Sequence, residues 1–349
     1  AVLAVVPCSA EVSAFARDYF FVRIWAAPAT LSLMAFKGWF IGMQDTVSPM
    51  ITDIIVNVVN MGVSYALAVY TPLGAMGVAY GTVIAQLTGL LIAFVLLLVK
   101  YKDICHQLKR LFVDKANRLW GGEMKRFMSL NGSLFIRSLC FMVVYVGFTS
   151  LASNYGDTEL AVSTIIMKLF MLFSYFVDGF AYAGEALVGK EIGVRRRCLE
   201  NDSDTTYGVE RVERGDEAIR RVVRLLFAWS LGVGVLFTLI FYVWEEPLYR
   251  LMTSDSIVLE RLADYTFWLV TMPIVSTLAF MWDGVYAGAT AGKQIRNAMI
   301  YAALGFVLCY VATYWWLGIQ GLYIAYFVHL LARVGYLTAT WRSVADNRY

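Results

Sequence analysis

The chain contains 349 residues, of which 60% are hydrophobic and 16% are charged, whereas about a quarter of the residues of a soluble domain are charged. Its formal net charge of +3 is too small to indicate a nucleic-acid partner. The hydrophobic residues form blocks of about 20, the length of a helix that crosses ~30 Å of hydrocarbon, so the composition excludes a soluble domain and predicts an all-α polytopic membrane protein.

Nine apolar blocks follow one another along the chain, and each is long enough for a full membrane span. Helices are predicted because a spanning segment must satisfy its own backbone hydrogen bonds, and the strands of a barrel would be about half as long. The predicted spans cover residues 20–43, 49–70, 73–98, 127–152, 158–188, 219–243, 262–287, 295–316 and 319–342.

The basic residues of the connections indicate how the chain crosses the membrane. Lys and Arg are concentrated in the connections 100–126 and 189–224. The alternate connections "YTPLG", "SNYGDTE" and "LGIQG" contain neither, and 244–261 carries more acidic than basic residues. The positive-inside rule therefore places the two basic connections and the C-terminus in the cytoplasm.

The last three spans of each half are copies of one another. The segment "RDYFFVRIWAAPATLSLMAFKGWFIGMQ" (17–44) aligns with "ADYTFWLVTMPIVSTLAFMWDGVYAGAT" (263–290), and "LGAMG" (73–77) aligns with "LGIQG" (317–321). Both copies run in the same direction through the membrane, which predicts a parallel repeat about an axis along the membrane normal.

The repeat also predicts the domain organisation. Three spans precede the second copy, but only "AVLAVVPCSAEVSAFA" precedes the first, so we expect an N-terminally truncated chain of a twelve-helix protein. The expected domains are a partial N-terminal lobe with the end of helix 3 and helices 4–6 (1–98), a cytoplasmic basic linker (99–126), a C-terminal lobe with helices 7–12 (127–342) and a cytoplasmic tail (343–349).

Three stretches, "IWAAPATLSLMAFKGWFIGMQDTVSPM" (24–50), "DGFAYAGEALVGKEIG" (178–193) and "WDGVYAGAT" (282–290), together resemble the multidrug and toxic compound extrusion (MATE) family, and in particular its bacterial DinF-like branch. The resemblance implies a twelve-helix fold of two six-helix lobes around a central cleft. It also implies export of organic, often cationic compounds that is driven by Na⁺ or H⁺. In the N-x-x-N-x-x-x-D pattern of this branch Asn57 and Asn60 match, but Ser64 replaces the aspartate.

Asp283 lies inside a predicted span. A charge near the bilayer centre costs ~2.5–3.5 kcal/mol on insertion scales, so it tends to face a cavity or a partner. Asp283 is therefore a candidate for binding the coupling cation or the substrate, and the alternative is a structural ion pair or contact with cytoplasmic water. Trp282 and Tyr286 flank it and could hold a lipophilic cation by cation–π attraction. Lys37 occupies the equivalent position of the first repeat, which suggests that Lys37 and Asp283 pair in one conformation and separate in another.

The predicted span 158–188 carries the largest set of polar residues. Asp178, Tyr182 and Glu185 recur at i, i+4 and i+7 and therefore share one helical face. Such a ladder would suit movement of a proton or Na⁺ and would attract a cationic substrate; alternatively, Glu185 extends to the cytoplasmic interface. Arg137, in the preceding span, is a candidate counter-ion for Asp178 or Glu185.

A second polar stripe runs along the predicted span 49–70. Asp53 is expected in the first turn of this helix, where a carboxylate complements the helix dipole. Asn57 and Asn60 continue the stripe, and asparagines in membrane helices serve as interhelical hydrogen-bond partners. These three residues are therefore secondary candidates for the site.

Together with the charged residues inside the spans, the resemblance implies a secondary active antiporter that exports small organic, cationic compounds in exchange for Na⁺ or H⁺ by alternating access. We expect no cofactor beyond the coupling ion, no metal site, and a monomer in the cytoplasmic (inner) membrane of a bacterium. A flippase for a lipid-linked oligosaccharide or another lipid is the alternative within transport. A membrane-embedded enzyme or a channel is the alternative outside it, although the sequence contains no H-E-x-x-H or G-x-S-x-G motif.

Overall fold

A computed structural model of the chain describes residues 10–102, 122–202 and 206–345. All regular secondary structure in these residues is helical. The first helices are α1 (Ala10–Arg23), α2 (Ala27–Gly42), α3 (Val47–Tyr70) and α4 (Ala75–Lys100), and a 3-10 turn joins α1 to α2. The later helices are α5 (Gly122–Ala152), α6 (Asp157–Asp202), α7 (Thr206–Val243), α8 (Glu245–Met252), α9 (Ser256–Ala263), α10 (Thr266–Gly288), α11 (Gly292–Leu317) and α12 (Ile319–Ala345).

Nine helical segments of the described residues are long and apolar enough to cross a membrane, which confirms the predicted number of spans. These segments are Arg17–Gly42, Val47–Tyr70, Ala75–Lys100, Phe127–Tyr155, Asp157–Arg195, Arg214–Val243, Thr266–Gly288, Gly292–Leu317 and Ile319–Val344. The largest difference from the prediction is in α6, which continues beyond residue 188. Polar residues end an apolar block, but they do not by themselves end a helix.

The connection between α7 and α10 contains two short helices, α8 and α9, where the sequence analysis expects only an acidic connection. Helix α8 begins with Glu245 and Glu246 and has Arg250 in its last turn, an arrangement that complements the helix dipole. The Asp255 carboxylate caps α9 by accepting a hydrogen bond from the Ile257 backbone N–H (2.9 Å). A search for blocks of 20 apolar residues does not detect helices as short as these.

The helices belong to two compact units, Ala1–Leu119 and Trp120–Tyr349. The boundary between the units falls within the predicted linker 99–126, of which residues 103–121 lie outside the described residues. The last four residues of the predicted tail lie outside them too. The lobe boundaries therefore stay predictions.

In the first unit, α3 and α4 pack closely because small residues face one another. A Cβ atom at Gly81 would lie 2.3 Å from the Ser64 Oγ atom. The Asn60 side-chain oxygen accepts hydrogen bonds from the hydroxyl groups of Ser64 (2.8 Å) and Thr82 (3.3 Å). Close approach and interhelical hydrogen bonds of this kind hold membrane helices together, so Asn60 has the packing role described for membrane asparagines.

The turn between α2 and α3 is organised by Asp45. Its carboxylate accepts hydrogen bonds from the Ser48 backbone N–H (3.1 Å) and hydroxyl (2.6 Å), and from Lys100 (3.0 Å) and Tyr101 (3.2 Å) at the end of α4. Burial alone would raise the pKa of this carboxyl, but the hydrogen bonds from Ser48 and the ammonium of Lys100 outweigh burial and lower the pKa to about 2. The network ties α4 to the start of α3.

In the second unit, α10 is packed directly against the backbone of α6. A Cβ atom at Gly284 would lie 2.2 Å from the Ala181 carbonyl oxygen, and one at Gly288 would lie 2.5 Å from the Glu185 carbonyl oxygen. Only glycine allows two helices to approach so closely at these positions. This contact brings the polar face of α6 beside Asp283.

Backbone conformation repeats between the two units at the positions that the sequence repeat aligns. Gln44 (φ 60°) and Thr290 (φ 55°) follow α2 and α10, whereas Gly74 (φ 50°) and Gly318 (φ 52°) precede α4 and α12. A positive φ is uncommon outside glycine, so its occurrence at both Gln44 and Thr290 is informative. The structure therefore supports the internal repeat.

Candidate functional site

A cavity of about 470 Å³ lies in the second unit, lined by residues of α5, α6, α10, α11 and α12. Pockets that hold drug-sized molecules have volumes of ~300–1,000 Å³ and are mostly apolar with a few polar groups. Most of the lining side chains here are apolar or aromatic. The charged lining residues are Arg137, Asp178, Glu185, Asp283 and Arg333.

Asp283 is 9% exposed and is bound by two arginines. Arg333 donates from Nε to Asp283 Oδ1 (3.2 Å) and from Nη2 to Oδ2, and Arg137 donates from Nη2 to the same Oδ2 (2.5 Å). Hydrogen bonds between ionised partners are roughly twice as strong as those between neutral groups. The carboxylate of α10 therefore holds both α5 and α12.

Arg333 lies in the middle of α12 with a side chain that is only 2% exposed. Its guanidinium also lies over the Phe280 ring, 5.5 Å from the centroid. Breaking a buried ion pair by removing one partner costs ~3–5 kcal/mol, because the other charge is left uncompensated. The structural ion pair that the sequence analysis gives as the alternative for Asp283 is therefore present.

Asp178 and Glu185 line the same cavity, but neither carboxylate forms a hydrogen bond or an ion pair with another described residue. Asp178 is half-buried and Glu185 is exposed. Tyr182 lies between them on the same face of α6. The ladder predicted from the i, i+4, i+7 spacing thus faces the cavity, and Arg137 pairs with Asp283 rather than with either carboxylate of the ladder.

The charges of the cavity do not balance. Three carboxylates and two guanidinium groups line it, so one negative charge remains when all five groups are ionised. A carboxylate without a counter-ion has a high free energy where water is scarce. It therefore binds a nearby cation more strongly there than it would in water. The arrangement can therefore bind one monovalent cation, whether H⁺, Na⁺ or an organic ammonium.

Aromatic rings form much of the remaining wall. These rings are Phe141, Tyr145, Phe170, Tyr175, Tyr182, Phe280 and Tyr326. The face of an aromatic ring attracts a cation, and this attraction strengthens when the cation is desolvated. The cavity therefore combines apolar surface for an organic molecule with groups that favour positive charge.

Trp282 and Tyr286, the aromatic pair singled out from the sequence, are not among the lining residues. Trp282 packs against Phe227 (centroids 4.9 Å apart) and Trp341 (5.4 Å) in the core. The Tyr286 hydroxyl donates a hydrogen bond to the Leu337 carbonyl oxygen (2.6 Å). Both rings therefore pack in the interior of the second unit, and neither lines the cavity.

The remaining candidates lie in the first unit. Lys37 pairs with Asp53 (2.7 Å) beside a smaller cavity of about 190 Å³, and the Asn57 side chain donates to the Asp53 carbonyl oxygen (2.9 Å). Asp53 is in the second turn of α3 rather than the first, because α3 begins at Val47. Lys37 and Asp283 each have ion-pair partners within their own unit, and their pairing with one another in a different conformation stays a prediction.

Arg333 and His329 are two buried polar residues of α12 that the sequence analysis does not single out. Arg333 could have been found by the rule that identifies Asp283, since it is a charge in the middle of the predicted span 319–342. His329 lies one turn earlier, and its Nδ1 atom is buried with no hydrogen-bond partner among the described residues. No sequence signal connects Arg333 to Asp283, because the two residues come together only when α10 and α12 pack.

No protein-family model matches the chain. DNA damage-inducible protein F of Escherichia coli (strain K12) is 31% identical over 328 residues, which cover 94% of this chain and 66% of that protein. Protein DETOXIFICATION 44, chloroplastic, of Arabidopsis thaliana is 25% identical over 334 residues, which cover 94% of this chain and 58% of that protein. The chain thus spans less than two thirds of the length of these curated relatives.

Solved structures of transporters resemble this chain over almost its whole length. An outward-facing multidrug resistance MATE family transporter of the MOP superfamily has a TM-score of 0.78 at 15% identity, with 97% of this chain and 71% of that chain covered. A MOP superfamily transporter from Pyrococcus furiosus, whose binding pocket is described as having reverse polarity, has a TM-score of 0.80 at 14% identity, with 100% and 74% covered. These similarities confirm the predicted MATE-type helix bundle.

Proposed function

We propose that this protein, which belongs to the multidrug and toxic compound extrusion (MATE) family and to its DinF-like branch, exports small organic compounds in exchange for Na⁺ or H⁺. The family consists of transporters rather than enzymes. The protein is a multi-pass membrane protein with a small-molecule substrate. The coupling ion, the direction of exchange and the class of substrate are the proposed part.

The observation that carries the proposal is the unbalanced charge of the cavity in the second unit. Asp178 and Glu185 face about 470 Å³ of space without a partner among the described residues. Aromatic rings surround them, so an organic cation gains both dispersion and cation–π attraction there. A coupling cation and a cationic substrate would compete for the same carboxylates.

Competition of this kind is sufficient for exchange. When Na⁺ or H⁺ occupies the carboxylates from outside, the cationic substrate leaves; when the cation departs to the cytoplasm, the substrate binds again. Each ligand favours the conformation for which it has the higher affinity, and alternating access follows from that difference. Asp283 serves as the anchor of the cavity in this scheme, because its charge is already balanced by Arg333.

A lipid flippase is the second candidate, because Arg137 and Arg333 could hold the phosphate of a lipid head group. Both guanidinium groups are bound to Asp283, however, and the carboxylates of the cavity outnumber them. An anionic head group would therefore enter a cavity whose net charge is already negative. This balance favours the export of cations.

The membrane setting of the proposal follows from the distribution of basic residues and from the relative in Escherichia coli. The C-terminus and the connections rich in Lys and Arg lie in the cytoplasm, and the protein resides in the inner membrane of a bacterium. The residues of the candidate site all belong to one unit of one chain, which is compatible with the expected monomer.

Transport by the full-length protein in proteoliposomes tests the proposal. Uptake of a fluorescent lipophilic cation is followed under an imposed Na⁺ or pH gradient, and the gradient that drives uptake identifies the coupling ion. Asp178→Asn is expected to lower the rate on the order of tenfold, since it removes one unpaired carboxylate. Glu246→Gln is the control, because this carboxylate lies on α8, is 71% exposed and pairs with Arg250, away from the residues that line the cavity.

Two results would contradict the proposal. Absence of gradient-driven uptake by the wild-type protein would count against the exporter and would lead to an assay of lipid translocation. Uptake that is unchanged in both Asp178→Asn and Glu185→Gln would show that the cation is bound elsewhere.

A further inference from the structure

Arg137 contacts Asp283 through only one of the three nitrogen atoms of its guanidinium group. Nη2 donates to Asp283 Oδ2, whereas Nε is buried and has no hydrogen-bond partner among the described residues. No described residue accepts a hydrogen bond from Nη1. A buried donor without an acceptor is unfavourable until an acceptor is supplied.

Arg333 differs from Arg137 in both its contacts and its exposure. Arg333 uses Nε and Nη2 on the two oxygen atoms of Asp283 and has a side chain that is 2% exposed. The Arg137 side chain is 33% exposed and lines the cavity. Since Arg333 alone balances the charge of Asp283, Arg137 is a surplus positive charge with unused donors on the cavity wall.

The helix α6 contributes charges of the opposite sign to the same cavity. Asp178 and Glu185 are two helical turns apart, or ~10 Å along the axis at 1.5 Å per residue. Neither has a partner among the described residues. The cavity thus offers an unused guanidinium donor on α5 and free carboxylates on α6, between walls of aromatic rings.

We propose that Arg137 is a specificity-determining residue, which selects ligands that carry a carboxylate in addition to a cationic group. The inference that the ligand carries a cationic group rests on the proposed function, whereas the inference that it carries a carboxylate rests on the unused donors of Arg137. The ligand class is an amphoteric aromatic compound of drug size. Its carboxylate lies against Arg137, and its cationic group lies against Asp178 or Glu185.

The chemistry of the guanidinium group explains the selection. A guanidinium N–H forms a charge-assisted hydrogen bond with a carboxylate, whereas a neutral ester offers only a weaker acceptor. Nη1 has no acceptor among the described residues, so it can donate to a ligand carboxylate while Nη2 stays on Asp283. An amphoteric ligand places each of its charges beside the opposite charge without adding net charge to the cavity.

Equilibrium binding of a matched pair of dyes to the purified full-length protein in detergent tests this inference. Rhodamine B carries a free carboxylate and a delocalised cation, and its ethyl ester carries the same cation without the carboxylate. Isothermal titration calorimetry is expected to give an affinity on the order of tenfold higher for the free acid, which corresponds to ~1.4 kcal/mol. Arg137→Gln is expected to abolish this preference.

Three further variants separate specificity from folding. Asp178→Asn should weaken both dyes alike and leave the preference intact, because both dyes carry the cation. Arg137→Lys keeps a positive charge beside Asp283 but loses the planar donors, so it should reduce the preference even if Arg137→Gln proves unstable. Arg221→Gln, on the exposed side of α7 outside the cavity, should change neither affinity.

Equal affinities of the wild-type protein for the two dyes would overturn the inference. A preference that persists in Arg137→Gln and Arg137→Lys, or a complete lack of binding of the free acid, would overturn it too. Gradient-driven transport of the ethyl ester without any preference for the acid would refute the specificity and leave the exporter intact. A preference for the acid without transport would support the specificity and refute the exporter.

Discussion

The substitution Asp283→Asn tests whether this carboxylate anchors the second unit. An asparagine has almost the same volume as aspartate, so the change removes the charge with little change in packing. Arg333 would then remain almost fully buried beside a neutral amide, and Arg137 would lose its only hydrogen-bond partner among the described residues. The perturbation therefore isolates the electrostatic contribution of Asp283.

The expected loss of stability follows from the burial of the two arginines. Leaving one member of a buried ion pair uncompensated costs ~3–5 kcal/mol. Arg137 can turn toward the cavity, because its side chain is 33% exposed, so most of the cost comes from Arg333. We expect a loss of about 3 kcal/mol, which corresponds to a decrease in Tm of roughly 6–12 °C for a unit of this size.

Thermal unfolding of the purified full-length protein in detergent measures this loss. Asp264→Asn is the matched control, because Asp264 is 55% exposed and its ion pair with Arg261 should contribute at most ~1 kcal/mol. The double variant Asp283→Leu/Arg333→Met replaces the buried pair by apolar side chains and should be more stable than Asp283→Asn alone. A Tm of Asp283→Asn within about 2 °C of the wild type, or a double variant less stable than the single one, would refute the reasoning.

Three further predictions concern stability and packing. Gly284→Ala should lower the free energy of unfolding by ~1–3 kcal/mol, because the added Cβ atom would overpack against the Ala181 carbonyl oxygen. Gly232→Ala is the control: its added Cβ atom would have no neighbour within 4 Å, so Tm should stay the same or rise. Equal effects of the two changes would contradict the close contact of α6 and α10. Asp45 has a folded pKa of about 2, below its ordinary value of 3.8, so it stabilises the protein above about pH 4 and this contribution disappears as the pH falls toward 2. The Tm difference between the wild type and Asp45→Asn should therefore be largest near neutral pH and should shrink on acidification; a constant difference would contradict the assignment. Tyr286→Phe should lower the free energy of unfolding by ~1 kcal/mol, because it removes the hydrogen bond to Leu337. The affinity for a cationic dye should stay within about twofold of the wild-type value, and a larger loss would indicate that Tyr286 belongs to the binding site.

Much of the candidate site can be predicted from the sequence because its parts are local. Asp178, Tyr182 and Glu185 share a face of α6 by helical spacing alone, and the structure places that face on the cavity. The cost of a charge in the membrane identifies Asp283 as a residue that needs a partner. The same rule identifies Arg137, which lines the cavity as well.

The partners of these residues cannot be predicted in the same way. Asp283 pairs with Arg333, 50 positions later, and with Arg137, 146 positions earlier. Trp282 and Tyr286 are close to Asp283 in sequence, yet both pack in the core, because their partners Phe227, Leu337 and Trp341 come from α7 and α12.

Sequence alone predicts the membrane class, the number of spans in the described residues, the internal repeat and the residues that carry charge inside the membrane. These properties depend on composition and on spacing along one helix, and both can be read without knowing which helices are neighbours. The packing of the helices, by contrast, determines that two arginines bind Asp283, while Asp178 and Glu185 face the cavity without hydrogen-bond or ion-pair partners among the described residues. The reason is that the balance of charge in the cavity depends on how α5, α6, α10 and α12 pack. Contacts between these helices, such as that of Gly284 with the backbone of α6, join residues about a hundred positions apart in the sequence.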